Sequence, residues 1–240
     1  MHNSKKRLIS EKPGYCLALL LSLIIVSAIS GCKSRESYKA ELEQKGIPYS
    51  VESFLSETGK GNSETIELFL KAGMDINAKG PKGYSALISA SQVNNIRTMK
   101  LLIDNGADVN AGGNQGETAL MFASLSNNID AIKLLIKNNV DVNAKNNKGY
   151  TALMFVSSTG NPEVMKLLIE NSADVNAKNS KGETALMFAS LNDNIEAVKL
   201  LIENSADVKI KNNKGETALK YAFLNSSIAS ILREAASGEK

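Results

Sequence analysis

Five glycines, Gly83, Gly116, Gly149, Gly182 and Gly215, stand 33 residues apart, and each begins nearly the same phrase: GYSALISA, GETALMFA, GYTALMFV, GETALMFA and GETALKYA. A fixed period of this length, held over successive units, specifies a linear array of similar structural units in which each contacts its neighbours. One period before Gly83 lies Ser50, after which Leu68, Phe69 and Leu70 superpose on Leu101, Leu102 and Ile103. A divergent first unit therefore begins near Ser50.

Within the unit spanning 149–181, Thr151 precedes an Ala/Leu-rich run that ends at Ser158. Gly160-Asn161-Pro162 follows, and then EVMKLLIE, with Val164, Met165, Leu167, Leu168 and Ile169 apolar. This predicts two short helices joined by a turn. Thr151 suits the N-cap of the first helix, and Pro162 suits the first turn of the second, where no backbone donor is lost. The stretch NSADVNAKNSKG that follows is rich in Asn, Asp and Gly and reads as an extended turn. After the second helix the units carry Gly73, Gly106, Asn139, Ser172 and Ser205. That position should be left-handed, which Gly and Asn tolerate and in which serine should be mildly strained.

The period, with G-x-T-x-L at its start and A-D-V-N-A at its end, resembles the ankyrin repeat over residues 50–240. The resemblance implies an all-α repeat solenoid of helix-turn-helix units with extended, β-hairpin-like fingers. Its units are 50–82, 83–115, 116–148, 149–181 and 182–214, with a capping repeat at 215–240. Where that family has T-P-L-H, this chain has Thr118-Ala119-Leu120-Met121, Thr151-Ala152-Leu153-Met154 and Thr184-Ala185-Leu186-Met187. The Thr to His hydrogen bond is thereby lost, and Met fills the volume as a more adaptable side chain. In the final unit Leu200, Leu201 and Ile202 align by period with Arg233, Glu234 and Ala235. That alignment implies a capping repeat without an apolar second helix.

Composition narrows the chemistry. There is no Trp and only six Phe, so the interior must be built from Ala, Leu, Ile and Val. The only cysteines are Cys16 and Cys32, and the only histidine is His2. Cleavage of the N-terminus would leave no imidazole for acid/base work or for zinc. The net charge of +3 also belongs to the leader, where Lys5, Lys6, Arg7 and Lys12 stand against Glu11. The remainder is balanced, with 24 cationic and 24 acidic residues, so the body lacks the basic excess of a nucleic-acid binder. Neither a cofactor nor a metal is expected, and no enzyme.

The first 31 residues have the three-part layout of a secretory signal: a cationic start at 5–12, an apolar run YCLALLLSLIIVSAI at 15–29, and small residues Ser30 and Gly31. The apolar run is shorter than the roughly 20 residues of a spanning helix. Ile29-Ser30-Gly31-Cys32 resembles the bacterial lipobox. The resemblance implies that Cys32 is lipidated and becomes the first mature residue, which places the protein in the cell envelope, lipid-anchored. In a Gram-negative cell the outer membrane is favoured, because Lys33 and Ser34 do not resemble the aspartate that retains such proteins in the inner membrane. The alternative is an uncleaved membrane anchor. Residues 32–49 are polar and charged, with room for a short helix before Gly46 and Pro48, and read as a tether.

Other candidates weigh towards structure. Asp108, Asp141, Asp174 and Asp207 recur at one turn position. They are a repeat apart, too far for a shared-proton pair, so turn stabilisation is their expected role. Gly59-Lys60-Gly61-Asn62-Ser63 lacks the order of a phosphate loop and falls between the two helices of the first unit. Met121, Met154 and Met187, with Phe122, Phe155 and Phe188, recur at the repeat spacing and read as core or groove lining. The turn tips carry Lys79 and Lys82, Lys145 and Lys148, Lys178 and Lys181, and Lys211 and Lys214, whereas the tip at 111–115 is uncharged. They form either a solvated edge or a basic comb for an acidic partner, anionic lipid headgroups included.

In the ankyrin family partners are held by the turn tips and the exposed ends of the first helices. By register the resemblance assigns this role to Tyr84, Gln92, Glu117, Leu125, Lys148, Tyr150, Lys181, Glu183 and Leu191. The function implied is protein binding by a monomeric, membrane-tethered adaptor. A surface scaffold with weak, multivalent contacts is the alternative.

Overall fold

The structure, a computed structural model, describes residues 33–223 and 225–238. Cys32 and the preceding leader lie outside the described residues. The chain forms α1 (Arg35–Gln44), then six helix pairs: α2 (Val51–Lys60) with α3 (Ser63–Lys71), α4 (Ala86–Gln92) with α5 (Ile96–Asp104), α6 (Ala119–Leu125) with α7 (Ile129–Lys137), α8 (Ala152–Thr159) with α9 (Pro162–Glu170), α10 (Ala185–Leu191) with α11 (Ile195–Glu203), and α12 (Ala218–Tyr221) with α13 (Ser226–Ser237). Among the described residues there is no strand, only one antiparallel bridge between Gly112 and Thr118.

Local chemistry accounts for the helix boundaries. Thr118 and Thr151 cap α6 and α8 by accepting from the Met121 and Met154 N–H groups, and Pro162 opens α9 behind the Asn161 cap. Asn62, Asn95, Asn128 and Asn225 cap their second helices in the same way. At the exit of the second helix Asn139, Ser172 and Ser205 have φ of +60°, +68° and +68°, the left-handed conformation expected of this position.

The first helices are seven or eight residues long in α4, α6, α8 and α10, and bury small residues such as Ala86, Ala90, Ala119, Ala123, Ala185 and Ala189. Small residues let these helices approach closely, and successive first helices make the most extensive contacts in the stack. The second helices α5, α7, α9 and α11 are nine residues long and insert Met99 with Leu102, Ile132 with Leu135, Met165 with Leu168, and Val198 with Leu201, all fully buried. Each such leucine contributes about 1.5–3 kcal/mol by leaving water. Tighter spacing on one side than on the other bends the array towards the first helices, which become its inner layer.

The fingers are joined by a polar ladder. The Asn77, Asn110, Asn143 and Asn176 amide oxygens accept from the backbone N–H of Asp108, Asp141, Asp174 and Asp207 in the next unit. Each of these aspartates accepts in turn from the N–H two residues on, the turn-stabilising role expected of it. A second rung runs from the N–H of Asn114, Asn147, Ser180 and Asn213 to the carbonyls of Lys82, Gln115, Lys148 and Lys181.

Two expectations are corrected. Residues 35–49 are not a free tether: α1 packs on α3, Leu42 is fully buried, and the Tyr49 hydroxyl donates to the Ala72 carbonyl at 3.3 Å. The Ile47 N–H bonds to the Leu42 carbonyl as Met74 does to Phe69, so α1 ends as a second helix does. It is half a unit whose finger is cut to a few residues, which is why the period conceals it. The final unit likewise keeps an apolar second helix, with Ile228, Ala229 and Leu232 buried. Its two caps, Thr217 and Asn225, stand eight positions apart, against the ten between Thr184 and Asn194. The deletion shifts the helix by two positions, so alignment at a strict period of 33 set the wrong residues against the core.

Candidate functional site

The inner layer carries the unusual surface. Val93, Leu125, Leu191, Leu219 and Phe223 are the large apolar side chains exposed among the described residues. All five lie in a first helix or within two residues of its end. The second helices present Arg97, Lys100, Lys133, Lys166, Glu196 and Lys199 outward instead.

The sequence-assigned residues fall on this layer in two groups. Gln92, Leu125 and Leu191 end first helices and are exposed, as are Lys148 and Lys181 on the fingers. Tyr84 and Tyr150, expected to project freely, are half-buried. Tyr84 meets Phe122 edge-on at 5.4 Å between ring centres, and Tyr150 lies between Phe155 and Phe188 at 5.6 and 5.4 Å. A Tyr side chain at the foot of a finger reaches back onto the next phenylalanine because the rings recur every 33 residues. Glu183 is also engaged within the stack, accepting from the Tyr221 hydroxyl at 3.1 Å and from Asn179 at 2.9 Å. Glu117 accepts from the Gln115 N–H at 3.2 Å and from the Tyr84 hydroxyl at 3.5 Å.

These contacts shift tyrosine ionisation. Burial, and then the Glu117 carboxylate, push the Tyr84 hydroxyl above its ordinary value. Burial also raises Tyr221, helped by Glu183 and Glu216 and opposed by the hydrogen bond with Asn212. Lys79, Lys145 and Lys178 donate to carbonyls of the following fingers at 2.9–3.3 Å. The basic comb is therefore partly tied into the ladder, while Lys82 and Lys148 make no ion pair among the described residues.

A hollow of about 200 Å³ opens in this layer, lined by Tyr84, Glu117, Met121, Phe122, Leu125, Asn146 and Phe155. Two larger hollows, of about 300 and 430 Å³, lie near Pro48 and Lys60 and near Gly215 and Leu219. They sit at the ends of the stack and have no aromatic lining. No cluster of His, Cys, Asp and Glu that could hold a metal ion occurs among the described residues, nor does a helix long and apolar enough to cross a membrane.

The family model for ankyrin repeats (3 copies) matches residues 55–146, 112–179, 131–212 and 153–239. The chain is an ankyrin-repeat protein. No curated protein matches it closely. Ankyrin repeats are protein-interaction modules, and the exposed apolar side chains of this one lie on the layer of first helices and fingers. Phe122 and Phe155 are half-buried and line the hollow of about 200 Å³, in keeping with the core or groove lining expected of their stripe. Glu117, at the edge of the hollow, stands in the register of Tyr150.

Proposed function

We propose that this ankyrin-repeat protein is a non-catalytic binding module, lipid-anchored through Cys32 to the cell envelope, that holds another protein on its inner face. The observation that carries the binding face is the segregation of Val93, Leu125, Leu191, Leu219 and Phe223 onto the first-helix layer. Exposed apolar side chains gathered on one layer mark an interaction surface, whereas the same residues scattered singly would not. The anchoring rests on the Ile29-Ser30-Gly31-Cys32 motif behind a cationic and apolar leader. With α1 folded onto the stack, the anchor would stand only a few residues from the first helix and hold the module close to the bilayer.

Two experiments test this. Mass spectrometry should find the chain beginning at a lipidated Cys32, and Cys32→Ala should abolish incorporation of labelled fatty acid. An unmodified chain with another N-terminus refutes the anchor. Leu125→Ala combined with Leu191→Ala, both about half-exposed, should weaken capture of the envelope partner roughly thirtyfold or more with an unchanged melting curve. Lys133→Ala with Lys199→Ala, on the outer layer, should have no effect. The reverse pattern refutes the inner-face reading.

A further inference from the structure

Tyr150 fills a slot between two phenylalanines, a pair of rings that the sequence repeats one unit earlier. Its ring stands 5.6 Å from Phe155, five residues on, and 5.4 Å from Phe188, thirty-eight residues on. One repeat earlier the corresponding residue is Glu117, and the corresponding rings are Phe122 and Phe155. The carboxylate does not occupy the space between them, and the hollow of about 200 Å³ is that unfilled place. In the repeat after Tyr150 the position is Glu183 and the corresponding rings are Phe188 and Tyr221; there the wall residue Tyr221 donates its hydroxyl to the Glu183 carboxylate at 3.1 Å. The slot at Glu117 is thus walled by rings, with a carboxylate at its edge and no ring inside.

The fold accommodates this slot by sequence choices nearby. Gly113 stands where later fingers carry Asn146, Asn179 and Asn212. A Cβ at Gly113 would lie 2.6 Å from the Tyr84 ring, so the glycine is what lets Tyr84 form one wall. The finger beside Tyr84, 111–115, carries no lysine, whereas the finger of Asn146, which lines the hollow, carries Lys145 and Lys148, and Lys79 and Lys82 stand on the finger before.

We propose that the slot takes an aromatic side chain bearing a hydrogen-bond donor, tyrosine or tryptophan, from an extended acidic segment of the partner protein. The ring would sit between Phe122 and Phe155 as Tyr150 does between its own pair. The phenol or indole donor would bond to Glu117 as the Tyr221 hydroxyl does to Glu183. Acidic residues on either side would lie over the lysine-bearing fingers, which gives the charge complementarity that selects the segment. This deepens the inner-face reading above and rests on it.

The chain has no tryptophan, so the fluorescence of a tryptophan peptide reports the peptide alone. The probe is acetylated and amidated Asp-Glu-Trp-Glu-Asp, with a twin in which alanine replaces tryptophan as competitor. The parent protein should bind the tryptophan peptide saturably below about 1 mM, and the twin should compete at least tenfold less well. Glu117→Tyr supplies the slot with its own ring; it should raise the melting temperature and weaken probe binding at least tenfold. Undiminished binding by Glu117→Tyr overturns the proposal, as does equal competition by the alanine twin, which would make the lysines alone the site. Absence of parent binding, with Leu125→Ala and Leu191→Ala still lowering partner capture, overturns the slot while leaving the inner face as the binding surface. Probe binding that behaves as expected, with capture insensitive to those leucines, keeps the slot and removes the wider face.

Discussion

Gly149 and Gly215 hold the same conformation, φ of +76° and +78°, and differ in what lies beside them. A Cβ at Gly149 would fall 2.8 Å from the Ser180 nitrogen and 2.9 Å from the Asn179 Cα, both backbone atoms of the next finger. At Gly215 a Cβ would meet nothing within 4 Å among the described residues. Alanine at either position incurs a left-handed penalty of about 1–2 kcal/mol, offset by about 0.4–1 kcal/mol from a less flexible unfolded chain. Gly215→Ala should therefore cost about 0–1.5 kcal/mol. Gly149→Ala must in addition push the finger away, which strains packing by about 1–3 kcal/mol. The displacement also breaks the 3.0 Å bond from the Ser180 N–H to the Lys148 carbonyl, worth about 0.5–1.5 kcal/mol net. Urea unfolding followed by far-ultraviolet circular dichroism should thus separate the two variants by about 1.5–4.5 kcal/mol, with Gly149→Ala the weaker. Equal losses would show that backbone strain alone accounts for these glycines and that the finger ladder does not constrain them.

Ser172→Gly and Ser205→Gly remove a left-handed serine each, and should be neutral or stabilising by up to about 1 kcal/mol in the same assay; a clear loss for both would mean that the serine side chains hold the turn. Leu42→Ala should cost about 2–5 kcal/mol by opening a cavity under α1, and hydrogen exchange should quicken first in α3; unchanged exchange there would mean that α1 does not cap the stack. The raised ionisation of Tyr84 and Tyr221 makes their neutral forms part of the folded state. Their contribution is complete below the ordinary tyrosine value near 10 and is lost as pH rises through the higher folded value. Melting temperatures from pH 8 to 11 should fall less steeply for Tyr84→Phe with Tyr221→Phe than for the parent, and an identical slope refutes the assignment.

The sequence by itself determined the period, the helix pairs, the threonine caps and the left-handed exits, because each is set by residues within one unit or by its identity with the next. Asn139, Ser172 and Ser205 could be placed without coordinates, since the backbone at a helix exit is the same in every repeat. Tertiary structure alone decided the features in which units differ. Helix α1 escaped the period because its finger is shortened, and only the burial of Leu42 reveals it as half a repeat. The register of α13 depended on where the core of α11 lies, so a two-residue deletion in the preceding turn could not be located from spacing alone. The binding face divided in the same way. Register places Leu125, Leu191 and Tyr84 on the first-helix layer, but whether a ring is free or occupied depends on the residue one repeat further on. Tyr150 was assigned to the binding face by register and is clasped by Phe155 and Phe188, while Glu117, assigned to the same face, borders a hollow lined by Phe122 and Phe155. Neighbouring repeats share their surfaces, so the environment of each inner-face side chain belongs to a pair of units and becomes visible only once they are stacked.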